Sequence, residues 1–413
     1  MAKFSEVLKN RNFSLLWLGQ IISQLGDRLG QVALADMVYR RAPGSTLQLM
    51  LAFITIILPV FVIGPVAGVY VDRWDRRKTM YVCDLLRAAL VLSIPPLFWY
   101  TRSLAGVYVI LFVVFCIGRF FVPAKLSIVP DLVKKEDLLI ANSLVNITGM
   151  LAAILGFGIS AMVVAHYGAE SGFYIDSLSF IVSAGLIFLI MGKTFARMEP
   201  VKVSRQIVEV IRKSIVQEMK EGVLYCLRHK EIKSTAGIFF LLAAALGSFS
   251  VVSISFLQKT FNSGTVWAPL CMFLGAGLFA GSLLYGKFGQ RFSQFRIIFF
   301  SLILSGIMLM VSVYVIWRHP DFRSACLLSA MLGFLVSPIL SAPNTIIHSV
   351  SENGMMGKVF SSLEVVMHLG FLIFMVISSI LAERFSHESI LIGAGAVFVV
   401  LGTVGLIAQR KIT

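Results

Sequence analysis

What most limits the folds open to this chain is a series of about twelve apolar stretches, each near or above the roughly 20 residues a helix needs to cross a bilayer. Their cores run over residues 15–38, 47–71, 79–98, 104–124, 139–165, 172–191, 234–258, 266–286, 296–317, 324–347, 358–382 and 389–408. With 58% hydrophobic and only 14% charged residues, the chain reads as an all-α, polytopic membrane protein. In hydrocarbon every backbone N–H and C=O needs a partner, and a helix is the one single segment that supplies them all itself. One polar interval is long, Gly192 to Lys233, and it follows the sixth stretch. The division predicts two pseudo-symmetric six-helix bundles, residues 1–191 and 234–413, joined by a cytoplasmic linker over 192–233. Within the linker Ile207, Val208, Ile211, Ile215 and Met219 recur at helical spacing among ten Lys/Arg and five Glu. That pattern predicts an amphipathic basic helix, either a solvated connector or a lipid-sensing element at the inner leaflet.

The net charge of +15 invites a nucleic-acid reading, but its distribution is that of a topology signal. With the N-terminus placed inside, the inner intervals carry 26 Lys/Arg and the outer loops seven. Positive charge collects on the cytoplasmic side, so both termini are expected there and no nucleic-acid partner is expected. The first apolar stretch lacks a small-residue cleavage site and reads as a retained helix. Cys83, Cys116, Cys226, Cys271 and Cys326 stand singly, with neither a disulfide framework nor a thiolate metal site implied. No GxSxG, HExxH, paired CxxC or phosphate loop occurs, so neither an enzyme nor a resident cofactor or metal is expected.

Function is therefore sought among the polar groups that sit at bilayer depth, where a charge costs about 2.5–3.5 kcal/mol even on lenient scales. In the first stretch Gln20, Gln24, Asp27 and Gln31 follow at spacings of four, three and four, one narrow stripe on a helix. Such a stripe is expected to face a transport pathway, with Asp27 carrying a proton, touching substrate, or pairing within a polar network. Arg28 points about 100° away from Asp27, toward a neighbouring helix or the cavity edge. Asp84, Arg87 and Arg119 lie two to three turns inside the third and fourth stretches, which predicts an ion-pair cluster near an inner gate. Asp36 and Asp176 fall near outer ends and read as interfacial or gate residues. Glu364 and His368, four apart in the eleventh stretch with Ser361 on the same face, read as a proton-coupling or substrate-binding pair. They are too few for a metal site alone.

The two halves also repeat at a shift of roughly 214 to 220 residues, with Gly68 to Arg77 matching Ser282 to Arg291 and Pro123 to Leu144 matching Pro343 to Leu363. Gly275, Gly277 and Gly281 are placed to let helices approach closely. The segment Gly68-Val-Tyr-Val-Asp72-Arg73-Trp-Asp75-Arg76-Arg77 resembles the inner-loop motif G-x-L-x-D-R-x-G-R-R/K of the major facilitator superfamily. Tyr70 stands for the usual Leu and Asp75 for the usual Gly. Here Asp72 would cap a facing helix and Arg73, Arg76 and Arg77 would bridge to Asp84 and Asp131 when the inner gate is shut.

Leu16 to Asp27, Asp84 to Arg87, Pro123 to Val133, Ala141-Asn142-Ser143 and Phe173 to Phe180 are similar to the twelve-helix branch of macrolide-efflux and enterobactin exporters. One departure stands out. The span-5 antiporter motif G-x-x-x-G-P-x-x-G-G keeps Gly156, while Phe157 replaces its Pro and Ser160-Ala161 its glycine pair. The resemblance implies proton-coupled export of an amphiphilic drug or siderophore by a monomer in the bacterial inner membrane, surrounded by lipid. An alternative is a lysophospholipid flippase, also similar in its first-helix Asp and Pro-Ala-Lys; a divalent-metal exporter of the ferroportin type is a third.

Overall fold

The computed structural model describes residues 4–64, 67, 70, 74–191, 230–288, 293–350 and 356–410, and every regular element among them is helical. The 192–233 linker helix, and Gly68, Asp72 and Arg73 of the inner-loop motif, lie outside the described residues. Each of the twelve apolar stretches meets a helix, as expected of a twelve-helix membrane protein. In the first half they are α2 (Arg11–Arg41), α3 (Thr46–Val62), α4 (Arg76–Leu92) continued by α5 (Ile94–Thr101), α6 (Leu104–Leu132), α7 (Leu138–Tyr167) and α8 (Ala169–Phe188). A short α1 (Phe4–Lys9) precedes them. In the second half they are α9 (Lys230–Phe261), α10 (Trp267–Phe288), α11 (Gln294–Arg318), α12 (Phe322–Val350), α13 (Met356–Leu381) and α14 (His387–Arg410).

The third stretch is one 26-residue candidate span, Arg76–Thr101, built from two helices in line. Pro95 and Pro96 have no N–H for the carbonyls one turn back, so the ladder breaks at Ser93 and restarts with proline in the first turn of α5. Arg102, in the left-handed region at φ 51°, closes α5 by donating its N–H to the Phe98 carbonyl at 2.8 Å. Among the described residues eight helical stretches are long and apolar enough to cross a bilayer on those grounds alone, and α2 is not one of them.

The chain forms two compact units, Met1–Val38 with Leu51–Arg212, and Tyr39–Met50 with Lys213–Thr413. In the first, α4 packs against both α6 and α8. Phe13, Leu16, Met80, Phe121, Ile128 and Ile187 are buried together at the end where α2 and α4 begin. In the second, α9 packs on α13, α10 on α12, and α11 on α14. The third helix thus pairs with the sixth in each unit, the structural counterpart of the sequence repeat. Lipid offers no hydrophobic reward for helix association, so close backbone contact has to supply it. At the α10–α12 crossing a Cβ on Gly277 would collide with the Ala330 carbonyl, and one on Gly333 with the Leu274 carbonyl. Large apolar side chains such as Trp99, Val109, Leu283 and Leu327 point outward, as a hydrocarbon solvent allows.

Candidate functional site: a buried charge ladder in the first unit

The position of α2 is set at its start. Asn10 caps it, its Oδ1 accepting the N–H groups of Asn12 (3.1 Å) and Phe13 (3.2 Å), while its Nδ2 donates to the Leu132 carbonyl at the end of α6 (2.6 Å). Asn12 exchanges two hydrogen bonds with the backbone of Met191, just past α8. Neither asparagine was singled out from the sequence, although Asn three residues ahead of an apolar run is a cap signal.

From this anchor the polar stripe comes apart. Gln20 is buried, whereas Gln24, Asp27 and Gln31 are half-buried. Gln24 lies beside Gly149 of α7. Arg28 turns to the same helix: its stem lies on Gly156 and its guanidinium sits 5.0 Å from the centre of the Phe157 ring. Its Nη1 donates to Gln31 Oε1 at 2.9 Å. Gly156 and Phe157, where the antiporter motif is half lost, thus form the seat of a first-helix arginine.

At the start of α4, Asp75 explains its own departure from the inner-loop pattern by capping the helix, accepting the Lys78 N–H at 2.9 Å. Arg76 pairs with Asp131 and donates to the Ser127 carbonyl (2.9 Å), both on α6. Arg77 does not reach Asp84. Its guanidinium donates to the Ile187 and Phe188 carbonyls and covers the Phe188 ring, so it caps the C-terminus of α8, where a cation is favoured.

Deeper in the unit the ion pairs differ from the grouping expected near an inner gate. Arg87 Nη2 donates to Asp27 Oδ1 at 2.8 Å, and its Nη1 lies 3.6 Å from Asp84 Oδ1. Asp84 is 0% exposed and its Oδ2 accepts the Ser183 hydroxyl at 2.7 Å. Phe180 lies under the Arg87 guanidinium, 3.9 Å away, and Gly118 of α6 lies alongside. Asp84 and Arg87 therefore belong with Asp27, some 24 Å into α2 at 1.5 Å per residue; on α6 Gly118 adjoins the guanidinium. Lys125 of α6 is within electrostatic reach of Asp27.

Asp176, set aside from the sequence as an outer-end residue, is buried against Gly26 and Gly30 of α2, within electrostatic reach of Asp27, Arg87 and Asp84. Its signal was there: Asp176, Phe180 and Ser183 recur at i, i+4 and i+7, one face of α8. Of the second-half pair, His368 is half-buried on α13, and the Glu364 side chain lies outside the described residues. No group of three or more His, Cys, Asp or Glu among the described residues is arranged to hold a metal ion.

The family model described as Major Facilitator Superfamily matches residues 16–282 and 235–411. Among curated relatives, the uncharacterized MFS-type transporter YkuC of Bacillus subtilis is 27% identical over 361 residues, 86% of this chain and 81% of its own. Macrolide efflux protein A of Streptococcus pyogenes is 24% identical over 385 residues, 90% of this chain and 89% of its own. Among solved structures, a POT family transporter in complex with a thioalcohol-conjugated peptide superposes with a TM-score of 0.74 at 13% identity, covering 98% of this chain and 97% of that one. That last likeness speaks for the fold alone.

Proposed function

The chain belongs to the Major Facilitator Superfamily, so it is a multi-pass membrane transporter, and we propose that it exports amphiphilic small molecules, macrolide-like drugs first among them, in exchange for protons. The observation that carries the coupling is the Asp27–Arg87 pair. A carboxylate in the middle of a transmembrane helix, 31% exposed, is held by a guanidinium that is itself only 9% exposed and also faces Asp84. Protonation of Asp27 releases Arg87 toward its buried partners, a change in packing between α2 and α4 that one proton drives. The likeness to macrolide efflux protein A over most of both chains supports the substrate class, with siderophores a related class to be tried.

In this reading Gln24, Gln31 and Arg28 shape the cargo face of α2, and Glu364 and His368 are the second-half counterparts. Gly68, Asp72, Arg73, Arg76, Arg77 and Asp131 hold the inner gate. The protein works as a monomer in the bacterial inner membrane with both termini in the cytoplasm and the 192–233 segment linking two bundles. The test is macrolide flux in proteoliposomes with and without an imposed pH gradient. Asp27→Asn should abolish the gradient-driven component; unchanged gradient-driven flux in that variant refutes the role given to Asp27.

A further inference from the structure

Three carboxylates and one guanidinium share the interior of the first unit, ordered along its axis. Asp84 lies nearest the start of α4, Arg87 and Asp27 follow, and Asp176 comes last. Asp84 has Arg87 and Ser183, and Asp27 has Arg87. Asp176 is 5% exposed, and its Oδ1 has no hydrogen-bond partner.

The donors around Asp176 are committed elsewhere. Ser179 Oγ donates to the Asp176 backbone carbonyl (2.7 Å), Ser177 Oγ to the Ala88 carbonyl (2.8 Å) and Ser183 Oγ to Asp84. On the remaining side Gly26 and Gly30 present bare backbone: at Gly30 the space that a Cβ would take is filled by the carboxyl itself, and at Gly26 by the Ser179 side chain with the carboxyl beside it. The charged groups that face it are Asp27 from α2 and Asp84 and Arg87 from α4. Glu170 and His166 stand exposed at the far end of α8 and α7. An ionised carboxylate placed here lacks the donors that would compensate its burial.

We propose that Asp176 is a second proton-binding residue, which trades the Arg87 guanidinium with Asp27; the idea deepens the proton-coupled reading above and rests on it for its place in transport. In the arrangement described here Arg87 holds Asp27 and the proton resides on Asp176. In the alternate arrangement the O–H bond at Asp176 breaks, its proton passes to Asp27, where an O–H bond forms, and Arg87 moves from Asp27 to the carboxylate left at Asp176. One bond breaks and one forms, and the charge of the cluster is the same before and after. The half-exposed Asp27 is thus the port and the buried Asp176 the store.

The test is infrared difference spectroscopy of the full-length protein in liposomes, titrated with base. Wild type should show a protonated-carboxyl C=O band that disappears on titration. The band should be missing in Asp176→Asn, an isosteric change suited to the same glycine seat, and present in Asp84→Asn. Absence of the band from wild type, or its survival in Asp176→Asn, overturns the assignment. The wild-type titration needs no variant to fold. Because the band is read without substrate, its fate is independent of the macrolide flux assay, so either reading can fail alone.

Discussion

Replacing Arg87 with methionine tests the charge ladder most directly, because the change keeps an unbranched apolar stem and removes the guanidinium with its charge and hydrogen bonds. Asp84 would be left fully buried with Ser183 as its sole donor, and Phe180 would lose the cation over its ring. Breaking a buried pair by removing one partner costs about 3–5 kcal/mol. Screening does not reduce this much, since Arg87 is 9% and Asp84 0% exposed. Asp27 is different: at 31% exposure its pair is worth about 0–1 kcal/mol, and Asp27→Asn leaves Arg87 its contact with Asp84. The expected order of damage is therefore Arg87→Met well above Asp27→Asn. A double variant, Arg87→Met with Asp84→Asn, replaces the buried pair by neutral groups and should recover most of the loss. Reversible unfolding in mixed micelles gives the free energies. A loss under about 1 kcal/mol for Arg87→Met, or no recovery in the double variant, refutes the idea that Asp84 depends on Arg87.

Two further outcomes follow from other parts of the structure. Gly277→Ala should destabilise the second unit by about 1–3 kcal/mol, because its Cβ meets the Ala330 carbonyl and backbone cannot swing aside. Gly393→Ala, where a Cβ meets nothing within 4 Å, should change stability by no more than about 0.5 kcal/mol in the same unfolding assay; equal losses would undo the argument. At the loop before α12, the Ser324 backbone N–H, donating to Asp321 at 2.8 Å, holds the Asp321 carboxyl below its ordinary value. A depressed carboxyl contributes its stabilisation above its unfolded value and loses it as pH falls through the folded one. Amide exchange at Ser324 should accordingly lose protection in acid, corrected for intrinsic rate, and a protection factor that ignores pH would sink the cap.

The helices were legible because apolar length is a local property: each stretch carries its own answer, whichever neighbours it acquires. The site was only half legible. Asp27 and Arg87 are marked as costly in hydrocarbon by their own sequence surroundings, but their partnership spans 60 residues and depends on how α4 rotates. Depth counted from the ends of the stretches sent Arg87 to an inner gate and Asp176 to an outer one. The α4 ladder, the Gly26–Gly30 gap in α2 and the Ser183–Phe180–Asp176 face of α8 bring them within electrostatic reach of one another. In the altered span-5 pattern Gly156 and Phe157 serve Arg28, which lies four spans earlier in the chain. Asp75 likewise looked like a defect in a motif and is a helix cap.

The dependence of α2 on Arg87 also governs how the chain is made. The first helix leaves the ribosome carrying Asp27, yet its guanidinium partner follows 60 residues later, and the serine that completes Asp84 comes 99 residues after Asp84 itself. Too polar to cross a bilayer on apolarity alone, α2 has to be retained beside the insertion machinery until α4, and then α8, arrive to neutralise it. Nascent chains stopped before α4 should slip back out of the membrane, and those stopped after α8 should stay.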